Sequence, residues 1–124
     1  MEDRFKEEVD LIAKVITDNI QRVAENHFTN ENKIIVFVKP ECSHCEEMGE
    51  ELTQYDNYFK GSEDYIPYEL FDVSIREYYD FAKMLKFKGI PTIAFVGSDN
   101  KIKALKGGVV KASDLMLMAN KILK

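Results

Sequence analysis

Cys42 and Cys45 are the only cysteines in a chain of 124 residues, and they stand three positions apart. What precedes them is a run of five apolar residues, Ile34, Ile35, Val36, Phe37 and Val38. The run has no polar alternation, as suits a strand covered on both faces. Pro40 lacks a backbone donor, so the strand should stop before it. After it, Cys45, Met48, Leu52, Tyr55 and Phe59 recur at intervals of three and four, the apolar stripe of a helix. On this reading the first turn of that helix carries both cysteines, on one side and close enough to close a disulfide ring. Cys42 would then meet the free N–H groups and the positive end of the helix dipole, which favour an anion. The thiolate is such an anion and is the reactive form of cysteine. The residues therefore point to a dithiol–disulfide redox site with Cys42 as nucleophile.

The elements around this site follow from pattern. Residues 5–27 place Phe5, Val9, Ile12, Ile16, Ile20 and Val23 on one helical face, with His27 extending the stripe. His27 is expected to be a packed residue at a helix C-terminus, favoured there by the dipole. Residues 65–73 read as a second strand. Ser74 and Glu77 have the spacing of a capping box for a helix bearing Tyr78, Phe81, Ala82 and Leu85, which Gly89 should stop. Residues 90–96 read as a third strand, 97–100 as a hairpin turn and 101–106 as a fourth strand, its lysines a solvated edge. Ser113 and Asp114 are expected to cap a last helix with Leu115, Met118 and Ile122 buried. Two strands joined by a helix should be parallel, and the hairpin antiparallel. The expected fold is α/β: a four-stranded mixed sheet with helices on both faces, in one domain spanning residues 1–124. The cysteines fall at the C-terminal end of a central strand, where such sheets place their chemistry.

Composition narrows the function. Hydrophobic content of 45% and charged content of 31% are ordinary for a globular protein, and the formal net charge is −5. An acidic chain is a poor fit to nucleic acid or to an anionic membrane, so neither is expected as a partner. No apolar run approaches the roughly 18–20 residues of a membrane span, and the first residues lack the features of a signal peptide. With both cysteines in the motif there is no separate structural disulfide, so a cytoplasmic, reducing compartment is expected. A secreted form trimmed of its leader is the alternative. A monomer is expected.

Four features together resemble the thioredoxin superfamily, over roughly residues 33–124. They are the strand leading into Pro40-Glu41-Cys42-Ser43-His44-Cys45, the tetrapeptide Gly89-Ile90-Pro91-Thr92, the hairpin after it, and Gly108 before the last helix. The resemblance implies that Cys42 attacks a substrate disulfide and that a more buried Cys45 resolves the mixed disulfide. It implies that Ile90–Pro91 is a cis peptide bond facing the cysteines, with the Ile90 backbone pairing with the substrate chain. It also implies disulfide-containing protein substrates and a part in cell redox homeostasis. The chain departs from thioredoxins proper at several points. Glu41 stands where they have tryptophan, and Ser43-His44 where they have Gly-Pro. Val36 replaces a buried aspartate thought to help deprotonate the resolving cysteine. It is similar to a divergent, thioredoxin-like member.

Between the cysteines, His44 can stabilise the Cys42 thiolate by charge or hydrogen bond, with Ser43 beside it, whereas Glu41 and its neighbouring glutamates oppose it. A more stable thiolate makes the disulfide more oxidising, so thiol oxidase or isomerase activity is the alternative to reduction. A binding module that keeps only the fold is a second alternative. A zinc site would need Cys42, Cys45, His44 and His27, completed by a second chain, so no metal is expected. No nucleotide or flavin motif is visible. Thus no cofactor is expected, and electrons must come from a separate reductase or a small thiol.

Overall fold

Ile34, Ile35, Val36 and Phe37 are 0% exposed in the computed structural model, which describes residues 2–124 and the side chains from residue 14 onward. The chain runs α1 (Glu2–His27), β1 (Lys33–Val38), α2 (Ser43–Phe59), β2 (Tyr68–Asp72), α3 (Arg76–Met84), β3 (Thr92–Val96), β4 (Ile102–Gly107) and α4 (Ala112–Leu123). The strands form one sheet in the order β2-β1-β3-β4, with β1 parallel to β2 and antiparallel to β3, and β3 antiparallel to β4. This is the four-stranded mixed sheet with helices on both faces that the sequence predicts.

Successive residues of a strand point to opposite faces, and β1 shows it. Ile34 and Val36 join Met48, Leu52 and Tyr55 of α2 and Leu115 of α4 in one apolar layer. Ile35 and Phe37 join Val23 of α1 and Phe81 of α3 in the other. A strand covered twice has no face for polar residues, hence the unbroken apolar run. Ile16, Ile20 and Val23 occupy their expected face of α1; Phe5, Val9 and Ile12 lie outside the described side chains. Along the seam between α1 and α3, Asn19 donates to the buried Asp80 carboxylate at 2.8 Å, and Arg76 lies 3.0 Å from the same group. That buried charge is thereby paired. Among the described residues no helix is long and apolar enough to cross a membrane.

Three helix boundaries differ from expectation, each because another group supplies the needed bond. Ser74 does not cap α3. Its N–H and hydroxyl both donate to Asp72 Oδ1, at 2.8 and 2.7 Å, forming a local turn, and Ile75 takes the cap position without a side-chain bond. Asp72 competes for the serine and wins by proximity, while Glu77 turns to Arg22 at 2.9 Å. Nor does Gly89 stop α3. Lys86 adopts the left-handed conformation (φ 60°) three residues earlier, and its N–H donates to Lys83 O at 2.9 Å. Finally, α4 begins at Ala112, before Ser113 and Asp114. Glu51 of α2 accepts from Ala112 N–H at 3.0 Å, so the cap comes from a neighbouring helix. The second and third strands are also shorter than expected, starting at Tyr68 and Thr92, each just after a proline.

A tyrosine cluster pins the connection from α2 to β2. Tyr55 donates to Ile66 O at 2.7 Å, and Tyr65 and Tyr68 both donate to the Asp56 carboxylate. Burial, and the charge on Asp56, push the hydroxyl pKa of Tyr65 and Tyr68 upward, and burial does the same for Tyr55. A folded-state pKa above the unfolded value means that the folded state holds the proton more tightly. The resulting stability is complete below pH ~10 and is lost as pH rises past it. Urea midpoints should therefore be level up to about pH 9.5 and then fall. Tyr65→Phe should cost about 1 kcal/mol at pH 7 and make the alkaline fall shallower. Equal alkaline slopes in both proteins would refute this account.

Candidate redox site

β1 ends at Val38, and a turn through Pro40 and Glu41 carries the chain to the cysteines. Glu41 holds φ 57°, a left-handed conformation rare outside glycine, which reverses the backbone just before Cys42. Cys42 is extended (φ −124°, ψ 108°) and is the N-cap of α2, so the helix proper starts at Ser43. Only Cys45, therefore, lies in the first turn. Cys42 thus stands at the cap position and not, as the sequence predicts, within the first turn, and from there its side chain can reach the free N–H groups. Cys42 Sγ accepts from Cys45 N–H at 3.2 Å, and Cys42 O accepts from Glu46 N–H at 3.0 Å. The two sulfurs are joined in a disulfide across a Cα–Cα distance of 5.2 Å. Cys45 is 8% exposed and packs inward, whereas Cys42 is half-buried and reaches the surface.

The predicted neighbours divide. Glu41 and Glu46 border the cleft of about 240 Å³ that exposes the cysteines. Ser43 is exposed. His44 is exposed too, with its ring nitrogen 3.7 Å from Glu47 Oε1; among the described residues no hydrogen bond joins it to either sulfur. The Ile90–Pro91 peptide bond is cis, and Pro91 O accepts from Gly108 N–H at 2.9 Å. Gly108 has φ 88°, a conformation glycine adopts without strain. Lys39 links the two halves of the site, lining both the cysteine cleft and a second cleft walled by Ile90.

His27 does not join the cysteines. It sits on the opposite face of the sheet from α2, edge-on to Phe71 at 4.8 Å, with Glu69 and Tyr78 each 3.2 Å from its ring nitrogens. It is the packed histidine expected from its position. Among the described residues no three metal-ligating side chains converge. Two participants escaped the sequence reading: Lys39, and Leu70, which walls the cysteine cleft although it is 54% exposed. The parallel register pairing Val36 with Leu70 brings that side chain to the cleft. Such a register joins residues distant in sequence and has no local signature.

A family model described as a thioredoxin-like domain matches residues 4–122. Comparison with curated proteins gave no match. Several solved structures are similar to this chain. One is thioredoxin-2, described as a component of malaria parasite protein secretion machinery, with 21% identity and TM-score 0.62 over 73% of this chain and 82% of that one. Chloroplastic thioredoxin z has 24% identity and TM-score 0.60 over 82% and 86% of the two chains. Reduced desulfothioredoxin from Desulfovibrio vulgaris Hildenborough has 22% identity and TM-score 0.60 over 74% and 82%. At these identities the structural likeness establishes the fold alone.

Proposed function

Because the chain belongs to the thioredoxin-like domain family, we propose that it is a thiol–disulfide oxidoreductase that reduces or exchanges disulfides in protein substrates. The observation that carries this reading is the position of Cys42 Sγ at the N-cap, accepting the Cys45 N–H at 3.2 Å with Cys45 buried behind it. In the dithiol form the same N–H faces the Cys42 thiolate and stabilises it. That thiolate attacks one sulfur of a substrate disulfide; the substrate S–S bond breaks and its second sulfur leaves as a thiolate. Cys45 then loses its proton and attacks Cys42 Sγ, releasing the first substrate sulfur. Two electrons pass to the substrate, two protons complete its thiols, and the Cys42–Cys45 disulfide remains. A separate reductase or small thiol restores the dithiol, in a reducing compartment. Ile90 and Pro91 are the segment against which the substrate chain would lie.

His44 turned toward Glu47, and carboxylates at Glu41 and Glu46, leave the backbone N–H as the principal support of the thiolate. A modestly stabilised thiolate makes a weak oxidant, so we infer that reduction is the favoured direction. Equilibration in thiol buffers, with alkylation to count thiols, tests both points. The expected result is one two-thiol transition near about −270 mV. His44→Ala should move it by less than about 30 mV, a factor of ten in the exchange constant. A potential above about −200 mV would make the protein an oxidase or isomerase. Absence of a two-thiol transition would overturn the redox reading.

A further inference from the structure

Two adjoining clefts, of about 440 and 350 Å³, lie along the connection from α3 to β3 and share Phe87, Lys88, Gly89 and Ile90. Lys39, Lys83 and Lys88 line the first, and Lys86 and Lys88 line the second; neither is lined by a carboxylate. All four lysines are exposed. This is a local reversal in a chain with 22 acidic and 17 basic residues. The floor is apolar: Tyr79 and Phe87 meet edge to face with ring centroids 6.3 Å apart, and the Arg76 guanidinium lies 5.9 Å from the Tyr79 ring centroid. Across Lys39 the sign changes, since the cysteine cleft carries Glu41 and Glu46. The surface around the cysteines is therefore electrically polar, acidic on the α2 side and basic on the Ile90 side.

We propose that these clefts dock the chain flanking a substrate's disulfide, and that they select segments in which an aromatic or aliphatic side chain is followed by carboxylates. The inference rests on the oxidoreductase reading and adds to it a substrate class. An apolar side chain gains by covering Tyr79 and Phe87, and its neighbouring carboxylates fall within reach of Lys83, Lys86 and Lys88. Beyond the Debye length of about 8 Å at physiological salt, the net negative charge of the chain is screened. Within it, the nearby lysines dominate. Charge complementarity of this kind acts mainly on encounter and on choice of partner.

The test uses two synthetic disulfide peptides, identical except for a flanking Phe-Glu-Glu in one and Phe-Lys-Lys in the other, together with uncharged hydroxyethyl disulfide. With the full chain first reduced by dithiothreitol and freed of it, the single-turnover rate constant for the acidic peptide at low salt should exceed that for the basic one about tenfold, the product of two or three exposed ion pairs. The ratio should fall to about threefold or less in 0.5 M salt. Lys83→Glu combined with Lys88→Glu leaves two lysines against two carboxylates and should bring the ratio close to one, and the double glutamine variant, with Lys39 and Lys86 still in place, should lower it to about threefold. Equal rates for the two peptides, with hydroxyethyl disulfide still reduced, would overturn the docking proposal and leave the oxidoreductase reading standing. Failure to reduce even hydroxyethyl disulfide would overturn both.

Discussion

Cys42→Ser is expected to abolish disulfide exchange, lowering the rate by at least about a thousandfold, because a serine hydroxyl at neutral pH has no counterpart to the thiolate. Cys45→Ser should behave differently. Its first attack is intact, but the mixed disulfide lacks a resolving thiol, so the protein should accumulate covalently joined to its substrate. Non-reducing electrophoresis and intact mass would show a new adduct, released by dithiothreitol. The asymmetry follows from exposure: Cys42 is half-buried and sits at the cap, while Cys45 is 8% exposed and packs inward. Neither substitution should unfold the protein, since the two residues are three apart and the disulfide closes a very small loop. If Cys42→Ser trapped the adduct and Cys45→Ser abolished attack, the order of the two cysteines would be reversed.

How much of this site was legible in the sequence depends on the range over which each feature is determined. The strand before Pro40 and the stripe from Cys45 to Tyr55 are local periodicities, and the structure reproduces them closely. The sheet order followed from topology, since a helix between two strands enforces parallel pairing and a short turn enforces a hairpin. Caps were legible only where no third group competed. Ser74 has the right spacing from Glu77, but Asp72 is nearer, and Glu51 reaches Ala112 from another helix. The αL stop at Lys86 was hidden because a left-handed lysine carries no compositional mark, while Gly89 close by does. His44 gives the sharpest contrast. Its identity suggested thiolate tuning, whereas its direction was set by an exposed helix surface on which Glu47 lies three residues on. Residue type specifies the chemistry available, and tertiary placement decides whether it is aimed at the sulfur.

The largest stability change is expected from Val36→Asp, which restores a carboxylate at the place where thioredoxins proper have one. Val36 is 0% exposed, paired with Leu70 and Ile93 in the sheet and covered by Met48 of α2. A carboxylate there loses its hydration, so its folded-state pKa must rise well above the usual value near 4. Between those two values the folded state binds a proton that the unfolded state has released. Stability should therefore fall by about 1.4 kcal/mol for each pH unit above about 4, until the folded-state pKa is passed. The loss at pH 7 should be about 3–5 kcal/mol. Val36→Asn, which is similarly polar but does not titrate, should show a loss independent of pH over the same range. In return, the new carboxylate, on the strand face that α2 covers, can act as a base for Cys45 once it is ionised, so decay of the mixed disulfide should accelerate as pH rises through the folded-state pKa. Urea unfolding from pH 4 to 8 measures the first effect, and single-turnover decay of the adduct measures the second. A flat stability profile would mean that the carboxylate reaches water through the cleft between Val38 and Leu70, and that this end of the core is wetter than its apolar lining implies.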